Sequence, residues 1–154
     1  MKKIEALLID IESKIENHHL LQSTVSEANV GWHIKHSLLV LDSVIEAMKK
    51  SDPQKYKWSF KIPRLIVFGM NKIPRGKGKS PKMVRPETYD EASLKADLKV
   101  TQQKIADLNT LEKEKYFKHP YFGDLKKKQA LKFLMIHTKH HMAIVDDIIK
   151  ARNK

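Results

Sequence analysis

Apolar residues recur at three- and four-residue steps at the start of the chain: Ile4, Leu7, Leu8, Ile11 and Ile15. That period predicts an amphipathic helix from Lys2 to about Glu16. The pattern stops across 18–29, where Ser26 and Asn29 are candidate helix caps. It returns from about Val30 to Lys50 on two stripes, Trp32, Leu39, Val40 and Ala47 on one and Ile34, Leu38, Leu41 and Ile45 on the other. A helix apolar on two faces is central in its fold. Ser51-Asp52-Pro53 ends it. The run Leu65-Ile66-Val67-Phe68 is either a buried helical turn or a short strand, because periodicity does not decide so short a run. Asn71 to Pro86, with its prolines and glycines, reads as a long surface loop. Leu94, Leu98, Ile105, Leu108 and Leu111 mark a third long helix from Thr88 to about Lys115. Pro120 and Gly123 place a turn in HPYFGDL, residues His119 to Leu125. Asp124 is the expected cap of a last helix, Lys126 to about Arg152, with Leu134, Ile144, Val145 and Ile148 inward. Four long helices without convincing strands predict an all-α four-helix bundle, one domain over 1–154, with a loop-rich insert at about 53–86.

Composition narrows the class. The chain of 154 residues is long enough to bury one real core. It has no cysteine, which excludes disulfides, thiolate zinc fingers and a cysteine nucleophile. No apolar run approaches the length of a bilayer span. Glu5, Asp10 and Glu12 interrupt the N-terminal apolar residues, so no signal peptide is expected and the cytoplasm is the default location.

The net charge of +12 is unevenly placed. Pro53 to Pro86 holds ten basic residues and no acidic one, while the other twenty basic residues face eighteen acids. A local field of this kind favours a phosphate, a carboxylate or a nucleic-acid backbone. A solvated loop is the alternative.

Eight histidines are the main chemical signal. At 100° per residue, with His141 at zero, Leu134 lies near +20°, Val145 near +40°, Ile148 near −20° and His137 near −40°. His137 and His141 therefore sit one turn apart on the apolar face, a spacing at which two imidazoles bind one metal ion. His140 falls near −100°, at the edge. On the second helix His36 is centred between Trp32, Val40 and Ala47, with His33 near +60°. A three-histidine metal site of His36, His137 and His141 is the expectation. His33 and His140 are further candidates, as extra ligands or as groups bonded to the ligands. A lone histidine in a bundle is more often a hydrogen-bonded core residue, but two on one face and a third on a facing helix shift the balance. Neutral imidazoles suit zinc, nickel, copper or ferrous iron. Zinc or nickel is expected first, with iron the alternative. Three protein ligands leave positions open, the layout of catalytic rather than structural zinc. His18 and His19 are expected to be solvated or capping, and His119 to bond its own turn. Asp146 and Asp147 are expected to point away from the site.

The inward His36 in VGWHIKHSLLVLDSV and the HTKHH block with His137 and His141 resemble the DinB/YfiT-like superfamily of metal-binding four-helix bundles. IPRGKGKSPK (Ile73 to Lys82) and HPYFGDL further resemble an uncharacterised subfamily within it. The resemblance spans about Val30 to Ile149. It implies an up-down-down-up bundle, a divalent metal on His36, His137 and His141, and frequent homodimers. It also implies metal-dependent transferases or related enzymes that use a low-molecular-weight thiol, held by the metal as thiolate.

Three functions follow as expectations. One is a metal-dependent enzyme acting on a small molecule, a transferase or hydrolase, with Arg75, Lys77 and Lys79 holding an anionic group of substrate or cofactor and no catalytic residue evident beyond the metal. A second is a nucleic-acid or other polyanion-binding protein in which Trp58 and Phe60, interleaved with Lys57 and Lys61, stack on bases. The third is a plain metal-binding or scaffold protein. No membrane partner is expected.

Overall fold

The computed structural model describes residues 2–76 and 80–152. Among these the order is α1 (Lys2–Glu12), α2 (Val30–Lys50), α3 (Ile62–Met70), α4 (Glu91–Asp107), β1 (Tyr116–His119), β2 (Gly123–Lys126) and α5 (Lys127–Arg152). The protein is mostly helical, with one small antiparallel hairpin. Among the described residues no helix is long and apolar enough to cross a membrane.

α2 is the centre of the packing and touches both α5 and α4, while α1 lies against the same two helices. Its limits are set locally. The Asn29 side chain accepts the Trp32 N–H at 2.9 Å, and at the other end Ser51 turns extended ahead of Pro53. Ile34, Leu38, Leu41 and Ile45 of the second stripe are buried against Leu94, Leu98, Leu134, Val145 and Ile148 in one core. Burying each such side chain contributes about 1.5–3 kcal/mol. The first stripe is less covered, with Trp32, Leu39 and Ala47 half-buried.

Two helices are shorter than their apolar period suggests. α1 stops at Glu12, where the Ser13 hydroxyl donates to the Asp10 carbonyl at 2.8 Å, and Ile15 reaches the core from a 3-10 turn instead. Lys14 then ties α1 to α5 by pairing with Asp10 and Asp146, both at 2.7 Å. α4 begins at Glu91 behind a reciprocal cap between Asp90 and Ser93. It ends at Asp107, short of Lys115, because Asn109 and Thr110 are weak helix formers and the Thr110 hydroxyl takes the Asp107 carbonyl at 2.8 Å. Leu108 remains buried beyond the helix end.

The hairpin overturns the strand-free expectation. Phe117 pairs with Leu125, and Lys118 with Asp124. Gly123 closes the turn at φ +71, and a Cβ there would fall 2.3 Å from Ser59 Oγ. Asp124 lies in β2 and does not cap α5. Its buried carboxylate instead accepts the Lys57 N–H at 2.9 Å and anchors the basic insert.

The insert contains α3, which resolves the ambiguous apolar run as helix. Pro63 sits in its first turn and Asn71, left-handed at φ 49, ends it. Val67 is buried, Phe68 meets Phe122 edge-on at 5.9 Å, and Arg64 donates to the Ser59 and Phe122 carbonyls at 2.6 and 3.3 Å. Ile62, Leu65, Ile66 and Met70 face solvent. In the described part of the loop after α3, the turn Lys82–Val84 drops Val84 into the core.

Candidate metal centre

The packing of α2 on α5 brings His36 opposite His137 and His141. One nitrogen from each of the three rings lies within 4.8 Å of the others, close enough to hold a metal ion. His36 and His141 are buried, and the His137 Nδ1 is buried without a hydrogen-bond partner. Trp32, one turn before His36, stacks on its ring at 4.9 Å and 17°. Phe133 flanks His137 at 5.5 Å.

Hydrogen bonds decide which nitrogens are free. His36 Nδ1 lies 2.7 Å from the Val84 carbonyl, which has no proton to give, so Nδ1–H donates. The neutral ring then carries its lone pair on Nε2. That atom is 3.3 Å from His137 Nε2. Two nitrogens bound tetrahedrally at about 2.0–2.1 Å from zinc lie about 3.3–3.4 Å apart, so this pair already has the separation of two ligands. His137 Nδ1 is buried without a hydrogen-bond partner, so no such bond selects the His137 tautomer. The residues present fit a divalent metal of imidazole preference.

Electrostatics keeps the rings neutral, as ligation requires. Burial pulls His137 and His141 far below the ordinary imidazole range, and the neighbouring histidines add to this. His36 is lowered by burial against the opposing pull of its Val84 bond. His33 falls to about 4, through burial first and then His36, His140 and Arg75.

His33 is buried but lies outside the three-nitrogen cluster. Its Nδ1 is 2.9 Å from His141 Nδ1 and its Nε2 is 2.9 Å from Ser26 Oγ. Ser26 therefore does not cap α2. His140 sits at the rim, its proton affinity lowered mainly by burial and then by Arg75, while a bond with the Ile73 backbone opposes both. Arg75 is exposed and pairs with Asp147 at 2.7 Å, so the carboxylate already holds the cation expected to take an anion. Lys77 and Lys79 lie outside the described residues. Asp146 and Asp147 point to Lys14 and Arg75, away from the cluster. His18 bonds the Ile15 carbonyl at 3.1 Å as a cap, and His19 is exposed. His119 Nδ1 accepts the Tyr121 and Phe122 amides, both at 3.1 Å, which is the turn bond expected of it.

Sequence reasoning missed Ser26 and Val84. Val84 acts through its backbone carbonyl, which leaves no residue signature. The seven-residue step from Ser26 to His33 crosses a linker and carries no helical period.

No protein-family model, no curated protein and no solved structure matches the chain.

Proposed function

We propose that this protein is a divalent-metal protein of the DinB/YfiT-like class, acting as a metal-dependent transferase with a low-molecular-weight thiol. In this reading α1, α2, α4 and α5 form the up-down-down-up bundle, α3 and the hairpin are additions to it, and two copies form a homodimer. The observation that carries the proposal is the cluster of three neutral imidazoles with nitrogens within 4.8 Å. When bound, the metal supplies the positive charge that holds a thiol as thiolate near neutral pH. The chain's own residues do the positioning. The Val84 carbonyl orients His36, Trp32 covers one face of the His36 ring, and Phe133 covers the His137 side. Zinc or nickel fits the donor set, with iron as the alternative. Elemental analysis of untagged protein tests the reading, beside His36→Ala and His137→Ala. About one equivalent of metal in the wild type, lost in both variants, is the expected result. A wild type that stays empty after loading with zinc, nickel and iron overturns it.

A polyanion-binding function is the second reading. It is supported by Trp58 and Phe60, which are 68% and 63% exposed between exposed lysines. Its test is binding to a single-stranded oligonucleotide, which should weaken by decades from low to physiological salt. Absence of binding at micromolar protein and low salt refutes it.

A further inference from the structure

Beyond the three clustered rings, a further buried histidine has its ring bonded to one of them. His33 stands one turn before His36 on α2 and is 4% exposed. Its two ring nitrogens are both engaged, Nδ1 with His141 Nδ1 at 2.9 Å and Nε2 with Ser26 Oγ at 2.9 Å. Ser26 Oγ also accepts the Ala28 N–H at 3.1 Å, which pins the hydroxyl in place ahead of α2.

A contact between two imidazole nitrogens holds one proton, and that proton has two homes. If His33 Nδ1 keeps it, His141 Nδ1 is the acceptor. The neutral His141 ring then carries its proton on Nε2 and has no lone pair there for a metal. If His141 Nδ1 keeps it, His33 Nδ1 is the acceptor, His141 Nε2 is bare, and the His33 proton moves to Nε2 and points at Ser26 Oγ. Only the second arrangement presents His141 Nε2 as a ligand. Metal-bound histidines ordinarily donate their other ring N–H to a fixed acceptor in this way. His36 has such an acceptor in the Val84 carbonyl.

We propose that His33 is a positioning residue for His141, holding it through the chain His141 Nδ1–H to His33 Nδ1 and His33 Nε2–H to Ser26 Oγ in the tautomer that leaves the Nε2 lone pair free for a metal shared with His36 and His137. The inference rests on the metal-centre reading above. It separates the two extra histidines of the sequence: His33 acts through His141 and is not a ligand. The energetic argument is one of alternatives. Without an acceptor at position 33, the His141 Nδ1–H is a buried donor with no partner, and a buried unmet donor is costly. The ring escapes that cost by rotating or by changing tautomer, and either change takes the Nε2 lone pair away from a shared metal.

The test is a titration of metal-free full-length protein with cobalt(II), followed by its visible absorption, and with zinc in competition against a chromophoric chelator. It compares wild type, His33→Asn, His33→Leu and Ser26→Ala. Asparagine places Oδ1 near the position of the ring Nδ1 and keeps an acceptor, whereas leucine keeps the volume and removes it. His33→Leu should bind the same one equivalent of metal about 10–100-fold more weakly. His33→Asn should recover most of that loss, and Ser26→Ala should show a smaller weakening in the same direction. Urea unfolding in chelator should show both His33 variants folded, so that the contrast between asparagine and leucine reports on the acceptor rather than on packing. Equal affinity in all four proteins overturns the role of His33 and leaves the metal centre standing. Loss of the cobalt spectrum or of stoichiometry in both His33 variants makes His33 a ligand and also overturns the proposal. A wild type that takes up neither metal removes the metal-centre reading and this one with it.

Discussion

Replacing His119 by asparagine should flatten the acid side of the protein's stability curve. The Nδ1 of His119 accepts two backbone N–H groups of its own turn, and the ring lies on Phe122 at 4.1 Å and against Phe133 at 4.6 Å. A protonated Nδ1 accepts neither bond. Burial lowers the pKa from 6.5 to about 4. The unfolded chain takes up the proton near 6.5, and the folded chain resists it until about 4. Between those limits the unfolded state binds more protons, so stability falls as pH falls. The contribution is present in full above pH 6.5, is lost through the window, and changes no further below about 4. At 1.36 kcal/mol per pH unit, the whole window amounts to about 3 kcal/mol. Asparagine at 119 keeps a side-chain acceptor for the turn amides and removes the titration. Urea unfolding of both proteins, metal-free in chelator, at pH 7 and pH 4.5 gives the difference of differences. The wild type should lose about 2–3 kcal/mol more than His119→Asn over that interval. The other buried histidines are common to both proteins, and His119 acts on them only as the last of the causes that lower His137. Parallel losses, equal to within about 0.5 kcal/mol, would refute the reasoning.

Thr138 is buried on α5 with a hydroxyl that meets no partner, so Thr138→Val should stabilise the protein by about 1 kcal/mol in urea unfolding. A destabilised variant would show that the hydroxyl is bonded in solution. Asp42 accepts the hydroxyl of the buried Thr101 at 2.8 Å and the Lys104 ammonium at 3.2 Å. Asp42→Ala should therefore cost about 1–3 kcal/mol, and adding Thr101→Val should restore part of it, because the second change removes the stranded donor. Additive losses in that cycle would sever the pair. Gly123→Ala meets both an unfavourable φ and the Ser59 hydroxyl, and should lower stability by about 2–4 kcal/mol with a matching fall in Tm. A variant as stable as the wild type would mean that the hairpin turn is not built as described.

The parts legible in the sequence were those written in local chemistry. α2 runs from Val30 to Lys50 as read, because Asn29 caps it and Ser51-Asp52-Pro53 stops it. His36, His137 and His141 come together because each was centred on an apolar stripe, and apolar stripes face one another. The hairpin was not legible. Its strands are four residues each, too short for a period, and Pro120 and Gly123 announced the turn but not the pairing around it. Asp124 looked like a cap because it preceded a helical pattern, yet its partner is an amide 67 residues away. The same holds for the Val84 carbonyl, which lies 48 residues from the ring it orients. Such contacts depend on where the chain returns, which no local pattern carries.

The separation of the ligands along the chain has a consequence for how the protein comes apart. His36 and His137 face each other across 101 residues of sequence. An ion shared between them would close most of the polypeptide into a ring. Loop closure of about 100 residues removes enough freedom from an open chain to be worth about 4–5 kcal/mol for a permanent cross-link. A metal is a reversible version of that link, most effective when the closed loop is long. Its release would then be a gate on unfolding. α2 and α5 could not drift apart while the ion held both, and a chelator would act on the rate at which the whole fold opens.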